Sequence, residues 1–121
     1  MKIPIIKYGE YWILGARTIG ITIFPFIFLK KSYFERIPFQ KEERLKKTIN
    51  HEKIHIKQQI ELLVIPFYIL YFLFYFVNLF RKGDAYLNIP FEREAYANEY
   101  DYEYLNKRKW FSWIKYIKKG D

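Results

Sequence analysis

The chain has 121 residues, a formal net charge of +8 and no cysteine. That length fits one domain around one modest core. The missing Cys excludes disulfides, Cys-ligated metal and thiol catalysis, so any metal site must use His, Asp, Glu and water. Aromatic residues make up 22% of the chain. Basic charge alone admits nucleic acid or an anionic membrane as partner. The densest aromatic run, 66–80, carries no charge, whereas a nucleic-acid stacking surface interleaves aromatics with cations. The composition therefore points to a membrane surface and away from nucleic acid. No signal peptide is expected. Lys2 and Lys7 give a weak basic start, but Glu10 and Arg17 interrupt the apolar stretch and no small-residue cleavage site follows.

In chain order, the first apolar stretch is "YWILGARTIGITIFPFIFLKK", 11–31. Its Ile, Thr and Phe content and its breaks at Gly15, Gly20 and Pro25 suggest strands, with "ARTIG" and "FIFLKK" as a pair. Residues 32–42 read as a loop. From Lys41, "KEERLKKTINHEKIHIKQQIELLV" places Leu45, Ile49, Glu52, His55 or Ile56, and Gln59 at helical steps. This predicts a long amphipathic helix with a basic outer face. The run "IPFYILYFLFYFVNLF", 65–80, is apolar on every side except at Asn78. "RKGD", 81–84, is a turn, and "IPFEREAYANEYDYEYLNKR" is a further helix with Pro90 in its first turn. The last segment, "KWFSWIKYIKK", places Trp110, Phe111, Trp113, Ile114 and Ile117 on one face and lysines on the other. It reads as an interfacial membrane helix or as a tail helix packed on the core.

The chemistry lies in "NHEKIHIKQQ", 50–59. Four helical residues make about 400° of rotation, so His51 and His55 project from one face and can grip one Zn²⁺. Glu52 lies about 100° round from His51, where it can hold a water beside the metal and take its proton as the water attacks a carbonyl. A catalytic zinc usually has a third protein ligand, which here must be a carboxylate. "PFEREAYANEYD" offers two. Glu92 shares a helical face with Ala95, Tyr96 and Glu99, which leaves a small residue beside the metal. Glu94 sits with Arg93 and Asn98 on what reads as a polar surface. Glu92 is the expected ligand and Glu94 the second choice.

This assignment constrains the apolar run. Residues 60–80 are about long enough to span a bilayer. A straight span would put His55 and Glu92 on opposite sides, and the site could not close. Pro66 disfavours helical geometry at Ile65. A helix ending near Val64 and a second starting at Pro66 could run antiparallel and return the chain to the level of the zinc. The flanking cations Lys53, Lys57, Arg81 and Lys82 agree with both ends facing one surface. The expectation is a helical hairpin dipping into one leaflet or packed on a partner; a simple span is the alternative, and it would undo the third-ligand assignment.

"HEKIHIKQQ" followed by "PFEREAYA" resembles the gluzincin-type metallopeptidases, in which HExxH is completed by a Glu on a later helix. More narrowly it resembles small, largely uncharacterised predicted metallopeptidases reading HExxHxxQ and then FExEA. The resemblance covers most of residues 15–105. It implies His51, His55 and Glu92 as ligands, Glu52 as catalytic acid/base and Gln58 as a helix residue near the site. It also implies that "ARTIG" or "FIFLKK" forms a sheet edge able to pair with an extended substrate. Membrane peptidases of the CAAX prenyl protease type share the plan and often carry Asp four residues after the ligand Glu. This chain has Tyr96 there, a residue able to hydrogen-bond or to stabilise an oxyanion.

Together these readings give a single α+β, mostly helical domain over 1–121. It is a zincin-like minidomain with a strand pair, HExxH helix, hairpin at Pro66 and Glu-bearing helix. The expected activity is zinc-dependent peptide-bond hydrolysis on a peptide or protein substrate, at the cytoplasmic face of the inner membrane. The alternative is a non-enzymatic accessory subunit of a membrane protein complex.

Overall fold

The longest element is a 22-residue helix, α2 (Lys41–Leu62), and both the sheet and the later helices pack against it. The computed structural model describes residues 4–14 and 18–117, and over them the chain is a small α+β fold. Glu42 and Glu43 occupy the first turn of α2, where carboxylates complement the helix dipole. Two sides of the helix meet two layers. Ile56 joins Ile27, Leu29 and Phe34 on the sheet side, and Ile54 joins Ala95 and Tyr104 on the other.

The sheet has β1 (Ile5–Gly9), β2 (Gly20–Ile23) and β3 (Phe26–Lys30) in the order β1–β3–β2. β2 and β3 are antiparallel, with Ile21 opposite Phe28, and connect through Phe24 and a cis Pro25. β1 runs parallel to β3, with Ile5 opposite Phe26. The expected "FIFLKK" strand is β3, but it is central and not an edge. The other expected strand lies further along than "ARTIG": it starts at Gly20, and Gly15, Ala16 and Arg17 lie outside the described residues. β1 was not expected. "IIKYG" lacks clear alternation, and its pairing with β3 supplies what its own pattern does not. The loop expected over 32–42 contains a short helix, α1 (Lys31–Glu35), and a 3₁₀ turn, Pro38–Gln40. α1 buries Phe34 completely.

After Leu62 the chain turns by 111° into α3 (Ile65–Asn78). The turn is made at Leu63 and Val64, whose φ angles are 58° and 23°. Left-handed backbone costs non-glycine residues on the order of 1–2 kcal/mol each. Val64 N–H donates to the Gln59 carbonyl at 2.9 Å and closes the end of α2. The break thus falls ahead of Pro66, which sits in the first turn of α3, and Ile65 is already helical. A turn of 111° stops short of antiparallel, so α3 crosses over the end of the site instead of running back beside α2. Residues 60–80 form no single helix. Among the described residues no helix is long and apolar enough to cross a membrane.

α4 (Pro90–Asn98) ends earlier than the expected helix, and a turn separates it from α5 (Tyr104–Lys107). Asn50 explains the stop: its Nδ2 donates to the carbonyls of Asn98, Glu99 and Asp101 at 3.3, 2.8 and 3.2 Å. The "KWFSWIKYIKK" segment forms only a 3₁₀ turn, Ser112–Tyr116, and residues 118–119 lie outside the described residues. Its Trp113 is drawn into a core of Phe67, Ile89 and Phe91. Phe91 is fully buried, with ring centroids 4.6 Å from Phe67 and 4.8 Å from Trp113. Phe91→Ala should therefore lower the unfolding free energy by about 3–5 kcal/mol, measured by denaturant titration.

Candidate metal centre

His51, Glu52 and His55 lie on α2 and are all buried. The two imidazoles, one turn apart, stand with ring centroids at 4.9 Å. α4 delivers Glu92 in its first turn, and Glu92 Oε1 lies 3.2 Å from Nε2 of both histidines. One donor atom from each residue falls within 4.8 Å of the others. Two ligands about 2.0–2.1 Å from a tetrahedral ion stand roughly 3.3–3.4 Å apart. The 3.2 Å separations match that spacing, so this buried group could hold a metal ion.

The far nitrogens fix the tautomers. His51 Nδ1 lies 2.8 Å from Glu99 Oε1, a carboxylate that can only accept. His55 Nδ1 lies 2.7 Å from Gln58 Oε1. The Gln58 amide cannot be reversed, because its Nε2 donates to Phe91 O at 3.1 Å and Glu94 Oε1 at 2.9 Å. Both Nδ1 atoms therefore donate, and both Nε2 lone pairs face Glu92. Outer partners of this kind orient metal-binding histidines. Tyr71 adds another, donating to Glu92 Oε2 at 2.7 Å.

Three electron-rich atoms facing one another out of water call for a cation. Without metal, that cation is a proton. Burial is the largest influence on His51 and pushes its pKa down, but the bonds to Glu92 and Glu99 outweigh it and raise it to about 10. His55 follows: burial opposes the charge, and Glu92 raises the pKa above its ordinary value. Burial likewise works against the Glu92 carboxylate, yet the two histidines hold its pKa far below the ordinary range.

Glu94 is no ligand, and it does not lie on a polar surface. It is fully buried, and Arg108 clamps it with Nε–Oε2 at 2.5 Å and a second bond at 3.1 Å. Tyr104 donates to Glu94 Oε2 at 2.6 Å. Arg108 also grips Glu61 through two bonds, at 2.7 and 3.1 Å. Glu94 thus anchors α4 to α2 and α5, and holds Gln58 against His55.

Glu52 sits under the edge of the sheet. Thr22 Oγ1 donates to its Oε1 at 2.6 Å. Gly20 leaves room beside it, since a Cβ there would stand 3.6 Å from Glu52 Oε2 and 3.3 Å from Thr48 Cγ2. These groups border a cleft of about 480 Å³, whose wall includes Gly20, Thr22, His51, Glu52, Tyr86 and Tyr96. Tyr96 packs edge-on against His51 at 4.5 Å, and its hydroxyl lies 3.2 Å from that of Tyr86. Burial raises the pKa of Tyr96, and burial followed by the Glu92 charge raises Tyr86, so both stay protonated at neutral pH.

The structure thus brings His51, Glu52, His55, Glu92 and Tyr96 to one cleft and excludes Glu94. Sequence reasoning missed three supporting groups. Glu99 was visible on the Glu92 face, seven residues on, and supplies the orienting carboxylate that position 96 lacks. Thr22 and Tyr71 carry no sequence signal, because only tertiary packing sets them beside Glu52 and Glu92. No family model, curated protein or solved structure matches the chain.

Two predictions follow from the opposite roles of Glu92 and Glu94. Glu94→Ala should destabilise the fold by about 3–5 kcal/mol in denaturant titration, because it strips a buried Arg108 of a partner. Glu92→Gln should still fold, with lower stability than wild type when metal-free because it removes the charge facing His51 and His55, and should lose metal affinity in calorimetric titration. For the metal-free protein, the raised His51 pKa gives stability that is full below its ordinary 6.5 and is lost as pH rises towards 10. The lowered Glu92 pKa gives stability present above its ordinary 4.5 and lost as pH falls. Thermal scans should place the maximum between pH 4.5 and 6.5.

Proposed function

We propose that the protein is a zinc-dependent metallopeptidase of the gluzincin kind, built as a zincin-like minidomain. The observation that carries this reading is the convergence of two oriented Nε2 atoms and one Glu92 oxygen on a cleft that also holds Glu52. The all-nitrogen-and-oxygen donor set, with no thiolate, suits a catalytic zinc of the His₂Glu type. When bound, zinc would supply Lewis-acid polarisation of a peptide carbonyl and of a water.

The chain's own residues do the rest. Glu52 takes a proton from the attacking water and returns it to the leaving amine. Thr22 holds one Glu52 oxygen and so aims the other. The Tyr96 hydroxyl is the donor for the carbonyl oxygen as negative charge develops there. Substrate backbone pairs with β2, which is an edge strand. Gln59 already occupies part of that edge, accepting from Phe24 N–H at 2.7 Å and donating to Thr22 O at 2.9 Å. By strand alternation the N–H and C=O of Gly20 face the same way and are the groups left for a peptide.

Protein purified without chelator should carry about one zinc per chain by elemental analysis, largely lost in His55→Ala. Glu52→Gln should keep the zinc and lose roughly 10²–10⁴-fold in hydrolysis rate. Wild-type protein without metal would contradict the proposal, and so would an active Glu52→Gln variant.

A further inference from the structure

The outer face of α3 is an exposed apolar surface that the metal centre leaves unexplained. Phe67, Leu70, Tyr71, Phe74 and Asn78 lie at helical steps on its inner stripe. The outer stripe is Ile65, Ile69, Phe72, Leu73 and Phe76, with Phe80 just beyond the helix end. Each of these six is 54–78% exposed. The helix is thus apolar on the side that packs and on the side that does not. An exposed contiguous apolar face of this kind marks an interaction surface.

Three observations choose the occupant. The outer stripe offers no side-chain donor or acceptor, whereas protein interfaces carry about one hydrogen bond per 100–200 Å². At 14 residues α3 is roughly 21 Å long. That is too short for a hydrocarbon core about 30 Å thick, and suited to lying along its surface. The third observation is charge. Residues 62–83 contain no carboxylate and include Arg81 and Lys82 just after the helix. The C-terminal segment adds exposed Lys109 and Lys115 beside exposed Trp110, Phe111 and Ile114. That segment adjoins the same face, because Ile117 shares a groove with Leu73, Phe74 and Val77. Cations and Trp flanking an apolar stripe form the pattern of a bilayer interface.

The face also reaches the metal centre. Phe72 belongs to the exposed stripe and, with Tyr68 and Tyr71, to the cleft wall. We propose that the outer face of α3, continued by Ile117, seats in the headgroup and upper acyl layer of an anionic phospholipid bilayer, setting the mouth of the metal cleft at the membrane surface. The substrate class this favours is an extended peptide segment next to a membrane anchor, presented along the bilayer. The substrate part rests on the peptidase reading, and the membrane part does not.

Flotation with vesicles of phosphatidylcholine and phosphatidylglycerol tests the face. Wild-type protein should float with them and bind pure phosphatidylcholine more weakly. Phe76→Glu combined with Val77→Glu, both outside the cleft, should lower partitioning roughly tenfold or more while circular dichroism and metal content stay unchanged. Ile69→Gln is the milder second variant, with an intermediate loss. Wild-type protein left unbound would overturn the proposal, as would variants that bind like wild type. So would a stable wild-type oligomer that ignores vesicles and is dissociated by the same substitutions. Vesicle binding by a zinc-free protein would remove the peptidase reading alone, and zinc binding without vesicle binding would remove the membrane face alone.

Discussion

The structure depends on bringing one Glu92 oxygen between two imidazoles that lie 41 and 37 residues earlier in the chain. A buried carboxylate and two buried histidines are expensive unless a cation and outer hydrogen bonds compensate them. The features between positions 55 and 92 serve that meeting. The chain turns by 111° at Leu63 and Val64 despite the positive φ of both residues. α3 then lies across the site, where Phe67 packs on His55 and Tyr71 reaches Glu92. Pro90 opens α4 so that Glu92 falls in its first turn, on the side facing α2.

The two helices that carry the site are tied by polar contacts at three levels. Asn50 grips the carbonyls that follow α4, the histidines meet Glu92 in the middle, and Gln58 and Glu61 meet Glu94 and Arg108 beyond. Polar contacts of this kind add little net stability compared with apolar packing, and they are costly when half satisfied. They fix the rotation and register of α4 on α2, and with them the Nε2 to Oε1 separations. The same contacts set the tautomers, so the geometry and the availability of both lone pairs have a common origin.

Much of the site was legible in the sequence. The histidine spacing needs only the helical period, and Glu92 could be chosen over Glu94 because Ala95 left room on its face. The period could not say what covers a face. Glu94 looked solvated because its partners Gln58, Tyr104 and Arg108 meet it only through tertiary packing. The same limit hid Thr22 and Tyr71. Local pattern also overestimated the last two helices. Asn50 draws off the carbonyls at the end of α4, and Trp113 gains more from the Phe91 core than from a helix lying outside it. A break after α2 was foreseeable from the need to close the site, but the expected antiparallel return is not made: the chain turns by 111° and α3 lies across the site.

The central claim is that His51, His55 and Glu92 hold one zinc ion and leave a place for a water. X-ray absorption at the zinc edge, on the full chain purified without chelator, tests it most directly. The account predicts four nitrogen or oxygen neighbours at about 2.0–2.1 Å, with the outer-shell scattering of two imidazoles. A sample without zinc, or a zinc surrounded by oxygen alone with no imidazole signature, would contradict it.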